Sequence, residues 1–379
     1  MTSINLAVLS PDSHSIAVLG RVFAEDQGLA HGVVHRLANQ GPLLVVAHST
    51  ATFLDFDFLF SLAPVLGLTF IAVFALALWH GLGALRAPGR VAIVALVTAV
   101  LFTVHLLQFH FVYLHENLGS AVYLFGFVAL YWLAEVEEDA TPLPVAFLCL
   151  TAFCLVRVEN PIGAVIFLAV TVVPGRVPRT AIATPLATFV AVVVAWNLVL
   201  AFSLPSGGIM KLNAGRCAIL ASLVVAFYAY WLASRASVLA RTNHHVPVLA
   251  AIGCALALAG AFALEPDVMG ASLSAMVENL GAFEDWGVAW YGALALGVLG
   301  LLSDRPRGGV AFVYGVALYL GVVLLLAFTH GAYTVKSNES AARMSLHVLP
   351  LAFFYLGLKL GAMTSRYVAS ESTTSVSLS

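Results

Sequence analysis

Apolar runs long enough to cross a bilayer recur along nearly the whole chain, near 58–80, 91–112, 119–135, 181–203, 216–234, 247–265, 285–302, 309–329 and 344–363. A hydrocarbon core about 30 Å thick is crossed by roughly 20 helical residues, and it offers no partner to an unpaired backbone group. A further stretch, 142–174, is apolar but interrupted by Arg157, Glu159, Asn160 and Pro161. It reads as two shorter helices meeting at a polar elbow. The expected fold class is therefore all-α, a polytopic transmembrane helical bundle of about eleven crossings. Composition agrees: 61% of the 379 residues are hydrophobic and 9% charged, against roughly 25% charged in a soluble domain. A surface this apolar has to face lipid.

A net charge of −2 gives no basic field to attract nucleic acid, so no such partner is expected. The four cysteines (Cys149, Cys154, Cys217, Cys254) lie in or beside apolar runs without metal-ligand spacing and read as small buried hydrophobes. The amino terminus has no basic leader, so a signal peptide is not expected. Residues 1–57 read as an external amphipathic segment, 58–364 as the bundle and 365–379 as a disordered cytoplasmic tail.

Alternating the loops sorts the charges. Arg86, Arg90, Arg176, Arg179, Arg235, Arg241, Arg305, Arg307 and Arg366 fall on one side. Asp12, Glu25, Asp26, Asp55, Asp57, Glu116, Asp267, Glu278, Glu284 and Asp285 fall on the other. Short arginine-bearing loops belong in the cytoplasm. The amino terminus is thus expected outside and the carboxyl terminus inside, in the plasma membrane of a prokaryote. The Glu135–Asp139 loop, acidic and without a base, dissents. Segments 1–57, 266–284 and 330–343 are the expected external loops.

Ionisable groups at membrane depth are costly and mark candidate sites. Asp12, followed by Ser13, His14, Arg21, Glu25 and Asp26, sits where Ile16, Val18, Leu19, Val22 and Phe23 form the apolar side of an interfacial helix. One reading is a carboxylate that takes a proton or holds a metal; the other is a helix N-cap. His105, Gln108, His110, His115 and Glu116 gather at the end of the second run. The five-residue spacing of His110 and His115 suits metal poorly, so they read as interfacial groups or the lining of a pocket mouth. At the elbow, Arg157 and Glu159 are two apart and should face different partners on a helix. Tyr333, Lys336, Asn338, Glu339 and Ser340 precede Arg343, with His347 and Pro350 following. An arginine at the outer end of a span calls for an anion, and its forked donors match phosphate. No P-loop, GxGxxG, HExxH or well-placed GxSxG occurs.

Several of these pieces together resemble the GT-C superfamily of polytopic glycosyltransferases, the branch akin to protein mannosyltransferases and aminoarabinose transferases that use polyprenyl-phosphate sugars. Asp12 to Leu29 is similar to the first external loop with its carboxylate. Gly41-Pro-Leu-Leu44 and the Phe58–Trp79 run resemble the short elbow and span that follow. Cys154-Leu-Val-Arg157-Val-Glu159-Asn-Pro resembles the mid-chain helix break, and Arg343 to Pro350 the late helix that handles the lipid phosphate. Two features depart from the pattern. The family's leading span has no counterpart ahead of Asp12, and Asp12 is not followed by a second acid; an upstream segment outside this sequence, a different catalytic carboxylate, or a divergent or inactive member would each account for the departure.

The resemblance implies a transferase moving a sugar from a polyprenyl-phosphate donor to an acceptor on the external face. Asp12 would be the catalytic base, with Glu25 and Asp26 as further catalytic candidates and a divalent cation (Mg or Mn) held at Asp12. Arg343, Lys336, Arg157, Glu159, His115, Glu116 and Tyr333 would bind substrate. Its partners would be the lipid-linked donor and membrane lipids. A transporter or flippase for a lipid-linked or anionic substrate would use the same arginines without the base, and a scaffold would need neither.

Overall fold

The computed structural model describes residues 18–22, 42–53, 58–112, 116–203, 213–234, 242–301, 309–336 and 339–376. Every regular element among them is helical. In chain order these are α1 Pro42–Phe53, α2 Phe58–Gly81, α3 Ala87–Phe102, α4 His105–Val112, α5 Glu116–Glu137, α6 Leu143–Val156, α7 Asn160–Thr171 and α8 Arg179–Ser203. There follow α9 Ala214–Ala233, α10 Val246–Leu264, α11 Pro266–Gly281, α12 Phe283–Trp286, α13 Ala289–Leu301, α14 Gly309–His330, α15 Ser340–Ser345 and α16 Leu349–Val376.

Among the described residues, five helices are long and apolar enough to cross a membrane, and the bent pair α3–α4 makes a sixth. Four more apolar helices, Val65–Gly81, Leu143–Val156, Asn160–Thr171 and Leu349–Ser365, are shorter. The chain is an integral membrane protein, but helix length does not by itself reach eleven crossings. The expected single span over 91–112 is broken: α3 and α4 meet at 78°. The break is stabilised by side chains, because Thr103 Oγ1 donates to Val100 O at 2.9 Å and Gln108 Nε2 to Phe102 O at 2.9 Å. Those bonds occupy carbonyls that a continuing helix would have used. Residues 266–281, expected as external loop, form α11. The last helix continues to Val376, through most of the stretch expected as a tail.

The chain divides into two compact units. The first comprises residues 1–67 and 109–253. Its centre is α5, where 67% of the apolar window is buried, against 28% for α8. α5 packs on α6 and α7, α8 on α6 and α9, α9 on α7, and α1 on α6. Glycines let α5 and α6 approach closely: a Cβ on Gly126 would lie 3.0 Å from Cys149 Sγ, and one on Gly119 would touch Val156. In the turn between these helices, Asp139 Oδ1 accepts from the Thr141 backbone N–H at 3.0 Å and its hydroxyl at 2.7 Å. Those bonds hold the exposed Asp139 carboxyl below the usual carboxylate range. Arg179 at the start of α8 donates to Ser234 O at the end of α9, 3.1 Å away.

The second unit comprises residues 68–108 and 254–379. α16 packs on α3, α13 and α14, while α11 lies against α14 and α15. Its core is aromatic, with Phe70 5.5 Å from Phe102, Phe74 6.4 Å from Phe354 and Phe354 5.3 Å from Phe312 between ring centroids.

Candidate functional site

In the first unit the polar elbow forms a cluster around two helix starts. α6 ends at Arg157, whose backbone is extended (φ −140, ψ 148), and α7 begins at Asn160 with Pro161 in its first turn. The break falls within the expected polar elbow, between Val156 and Asn160. Proline lacks an N–H that the first turn would leave unpaired anyway, so it starts α7. Because Arg157 is extended, helix-face spacing does not apply. Arg157 Nε lies 3.5 Å from Glu159 Oε2, so the two charges expected to face different partners face each other.

Arg157 also donates from Nη1 to Asn117 Oδ1 at 3.1 Å. Asn160 Nδ2 donates to Ser120 Oγ at 2.9 Å and to Phe153 O at 2.7 Å. The second bond satisfies one of the last four carbonyls of α6. Glu116 stands in the first turn of α5 and is buried, as are Asn117, Ser120 and Asn160. The positive ends of two helices favour the two carboxylates there. One guanidinium, two carboxamides, one hydroxyl and two carboxylates together offer donors and acceptors suited to a hydroxyl- or phosphate-bearing ligand.

In the second unit the 331–339 loop and α15 carry the other predicted residues. Tyr333 turns its phenol inward, donating to Val323 O at 2.6 Å. Burial, helped by the charge of Glu339, pushes the Tyr333 phenol well above its usual range. It anchors the loop. Lys336 is exposed. Glu339 caps α15, its carboxylate accepting from Ala341 N at 2.6 Å. Arg343 is half-buried and donates to Ser340 Oγ at 3.3 Å. It lies on the separate short helix α15, not at the opening of the last long helix. A turn at 346–348 follows, and Pro350 sits in the first turn of α16. His347 is buried, with Nδ1 2.6 Å from the Tyr319 hydroxyl.

Asp12, Glu25, Asp26 and His115 lie outside the described residues. Of the remaining predicted residues, Glu116, Arg157 and Glu159 belong to the first unit and Tyr333, Lys336 and Arg343 to the second. Among the described residues no group of three or more His, Cys, Asp and Glu is arranged to hold a metal ion. His105 contacts the Glu284 carbonyl through Nδ1 at 2.8 Å.

Sequence reasoning missed Asn117 and Ser120, which look like ordinary helix residues, and Lys359. The last is buried on α16, 5.9 Å from the Tyr355 ring centroid. A lysine in an apolar run was a legible signal. Ser272 and Asn279 on α11 were missed as well. With Met269, Ala275 and Met276 they make a buried face of helical period.

Neither protein-family models nor curated proteins gave a match to the chain. Solved structures did. The apo crystal structure of the Archaeoglobus fulgidus oligosaccharyltransferase superposes with a TM-score of 0.53 at 13% identity, over 99% of this chain and 49% of that one. The same enzyme tethered through a disulfide to an acceptor peptide containing the NVT sequon gives 0.50 at 12% identity, over 94% and 48%. The chain spans about half the length of the enzyme it resembles. The likeness shows that the chain shares the helical fold of that oligosaccharyltransferase.

Proposed function

We propose that the protein is a membrane glycosyltransferase that moves a sugar from a polyprenyl-phosphate donor to an acceptor hydroxyl or amide on the external face. The observation that carries the reading is the helical fold shared, over 99% of the chain, with an oligosaccharyltransferase. The proposal includes about eleven crossings, the shorter apolar helices completing the bundle, with the amino terminus outside and the carboxyl terminus in the cytoplasm of a prokaryotic cell.

In the proposed step the acceptor heteroatom attacks the anomeric carbon as the bond from that carbon to the phosphate oxygen breaks. The acceptor proton passes to the Asp12 carboxylate, and polyprenyl phosphate leaves with the bonding electrons. Arg343 and Lys336 bind the donor phosphate and stabilise the charge that grows on it. Arg157, held by Asn117, and Glu159, paired with it, contact hydroxyls of bound substrate, with Glu116 as a further contact. Glu25, Asp26 and His115 stay in the proposal as lesser candidates. The described residues supply no ligand set for a cation, so no step is routed through one. A requirement for Mg or Mn at Asp12 is tested by chelation.

The test uses membranes containing the wild type, Asp12→Asn or Arg343→Ala, supplied with radiolabelled polyprenyl-phosphate sugars. The reading expects transfer by the wild type and by neither variant. Wild-type transfer that survives Asp12→Asn removes the base. Label that crosses the bilayer while still lipid-linked favours a flippase.

A further inference from the structure

Two side chains on the buried face of α11 hold the loop that carries Lys336. Ser272 Oγ accepts from the Tyr333 backbone N–H at 3.0 Å. Asn279 makes two bonds: Nδ2 donates to Thr334 O at 2.9 Å, and Oδ1 accepts from Lys336 N at 3.0 Å. Ser272 and Asn279 are seven residues apart, about two turns, and so share a face. They are 0% and 3% exposed.

The Asn279 carboxamide pairs with one acceptor and one donor of the loop, Thr334 O and Lys336 N, on either side of Val335. Three backbone groups between 333 and 336 are fixed to a helix, while the Lys336 side chain stays exposed. Among the described residues no carboxylate lies within ion-pair distance of its ammonium, and Glu339 is engaged in capping α15. Ordering the backbone beforehand removes the loop's share of the freedom lost when the Lys336 ammonium meets a phosphate, leaving only that of its flexible side chain.

We propose that Ser272 and Asn279 are positioning residues that present Lys336 to the phosphate of a polyprenyl-phosphate lipid. The choice of lipid rests on the transferase reading; the clamp does not. Trypsin cleaves after Lys336, so the cut at 336 reports both loop order and phosphate cover. Full-length wild type, Asn279→Ala, Asn279→Asp and Ser272→Ala are placed in phosphatidylcholine nanodiscs, with and without undecaprenyl monophosphate. Parallel discs carry phosphatidylglycerol.

Without the added lipid, Asn279→Ala, which loses both carboxamide bonds, is cut roughly tenfold or more faster than wild type. Asn279→Asp keeps the acceptor for Lys336 N and falls between. Undecaprenyl phosphate protects the wild type, and half-protection of Asn279→Ala needs roughly tenfold more of it, a shift that simple loss of stability does not produce. Equal cutting of all four proteins overturns the clamp. Equal protection by phosphatidylglycerol, or an unshifted half-protection in Asn279→Ala, overturns the presentation of Lys336 to this lipid. Wild type that is protected by undecaprenyl phosphate yet transfers no sugar sinks the transferase reading and leaves this one standing.

Discussion

Replacing Asn160 with alanine tests how the elbow is held. Its Nδ2 donates to Phe153 O at 2.7 Å and to Ser120 Oγ at 2.9 Å, and the residue is buried. Asn160→Ala strips a C-terminal carbonyl of α6 of this donor, in a place water reaches poorly. Losing a partner there costs about 1–3 kcal/mol, and an interhelical bond in a membrane bundle adds about 0.6 kcal/mol. For a unit of this size a loss of about 2–3 kcal/mol lowers the midpoint by about 5–10 °C. Cys154 supplies the probe, because its thiol is buried beside Phe153. A thiol-reactive fluorophore added to detergent-purified protein reports the temperature at which it becomes accessible. Ser120→Ala costs less, since the bond to Phe153 O survives. The double variant comes out less destabilised than the sum of the two singles, because they share one bond. Asn160→Asp sets an acceptor against the carbonyl and is at least as damaging as alanine. An Asn160→Ala protein melting within about 1 °C of wild type would refute the reasoning, since it would leave no room for even the weaker of the two bonds.

Four further outcomes are expected. Gly175→Ala places a Cβ 2.6 Å from Thr171 O and in collision with the Tyr131 hydroxyl; as overpacking against backbone it costs about 1–3 kcal/mol, read in the same thiol assay. Tyr333→Phe removes the bond to Val323 O and costs about 1 kcal/mol. The Tyr333 phenol is raised, so its stabilising contribution is fully present below the ordinary tyrosine range and lost only as pH rises above it; the Tyr333→Phe deficit stays constant from neutral to mildly alkaline pH, and a deficit that changes there would contradict the assignment. Asp139 is lowered by its Thr141 bonds, so its contribution is present above the ordinary carboxylate range and lost as pH falls through its folded value; any difference between Asp139→Ala and wild type in melting scans disappears in acid. Arg157→Lys keeps the charge but cannot reach Asn117 and Glu159 together, so it weakens donor use in the transfer assay even though net charge is unchanged.

The long apolar runs were legible because lipid imposes length and apolarity together, and the elbow showed itself through Arg157, Glu159 and Pro161. Its geometry did not. Whether a proline ends one helix or starts the next depends on who pairs with the freed carbonyls, and Asn160 reaching Phe153 decides that here. The α3–α4 bend carries no proline or glycine at its corner, only Thr103 and Gln108 folding back on the helix end. Met269, Ser272, Ala275, Met276 and Asn279 give α11 a buried helical face within the 266–284 segment expected as an external loop. Partner choice among apolar helices is carried by close glycine contacts such as Gly126 against Cys149, and nothing in a single sequence names the partner.

The most direct test of the central claim uses the purified wild-type protein in proteoliposomes with a polyprenyl-phosphate donor labelled in the sugar. The transferase account predicts that label passes to an acceptor while an equal amount of free polyprenyl phosphate appears. Label that stays lipid-linked, on either face of the bilayer and with every donor and acceptor offered, would contradict it.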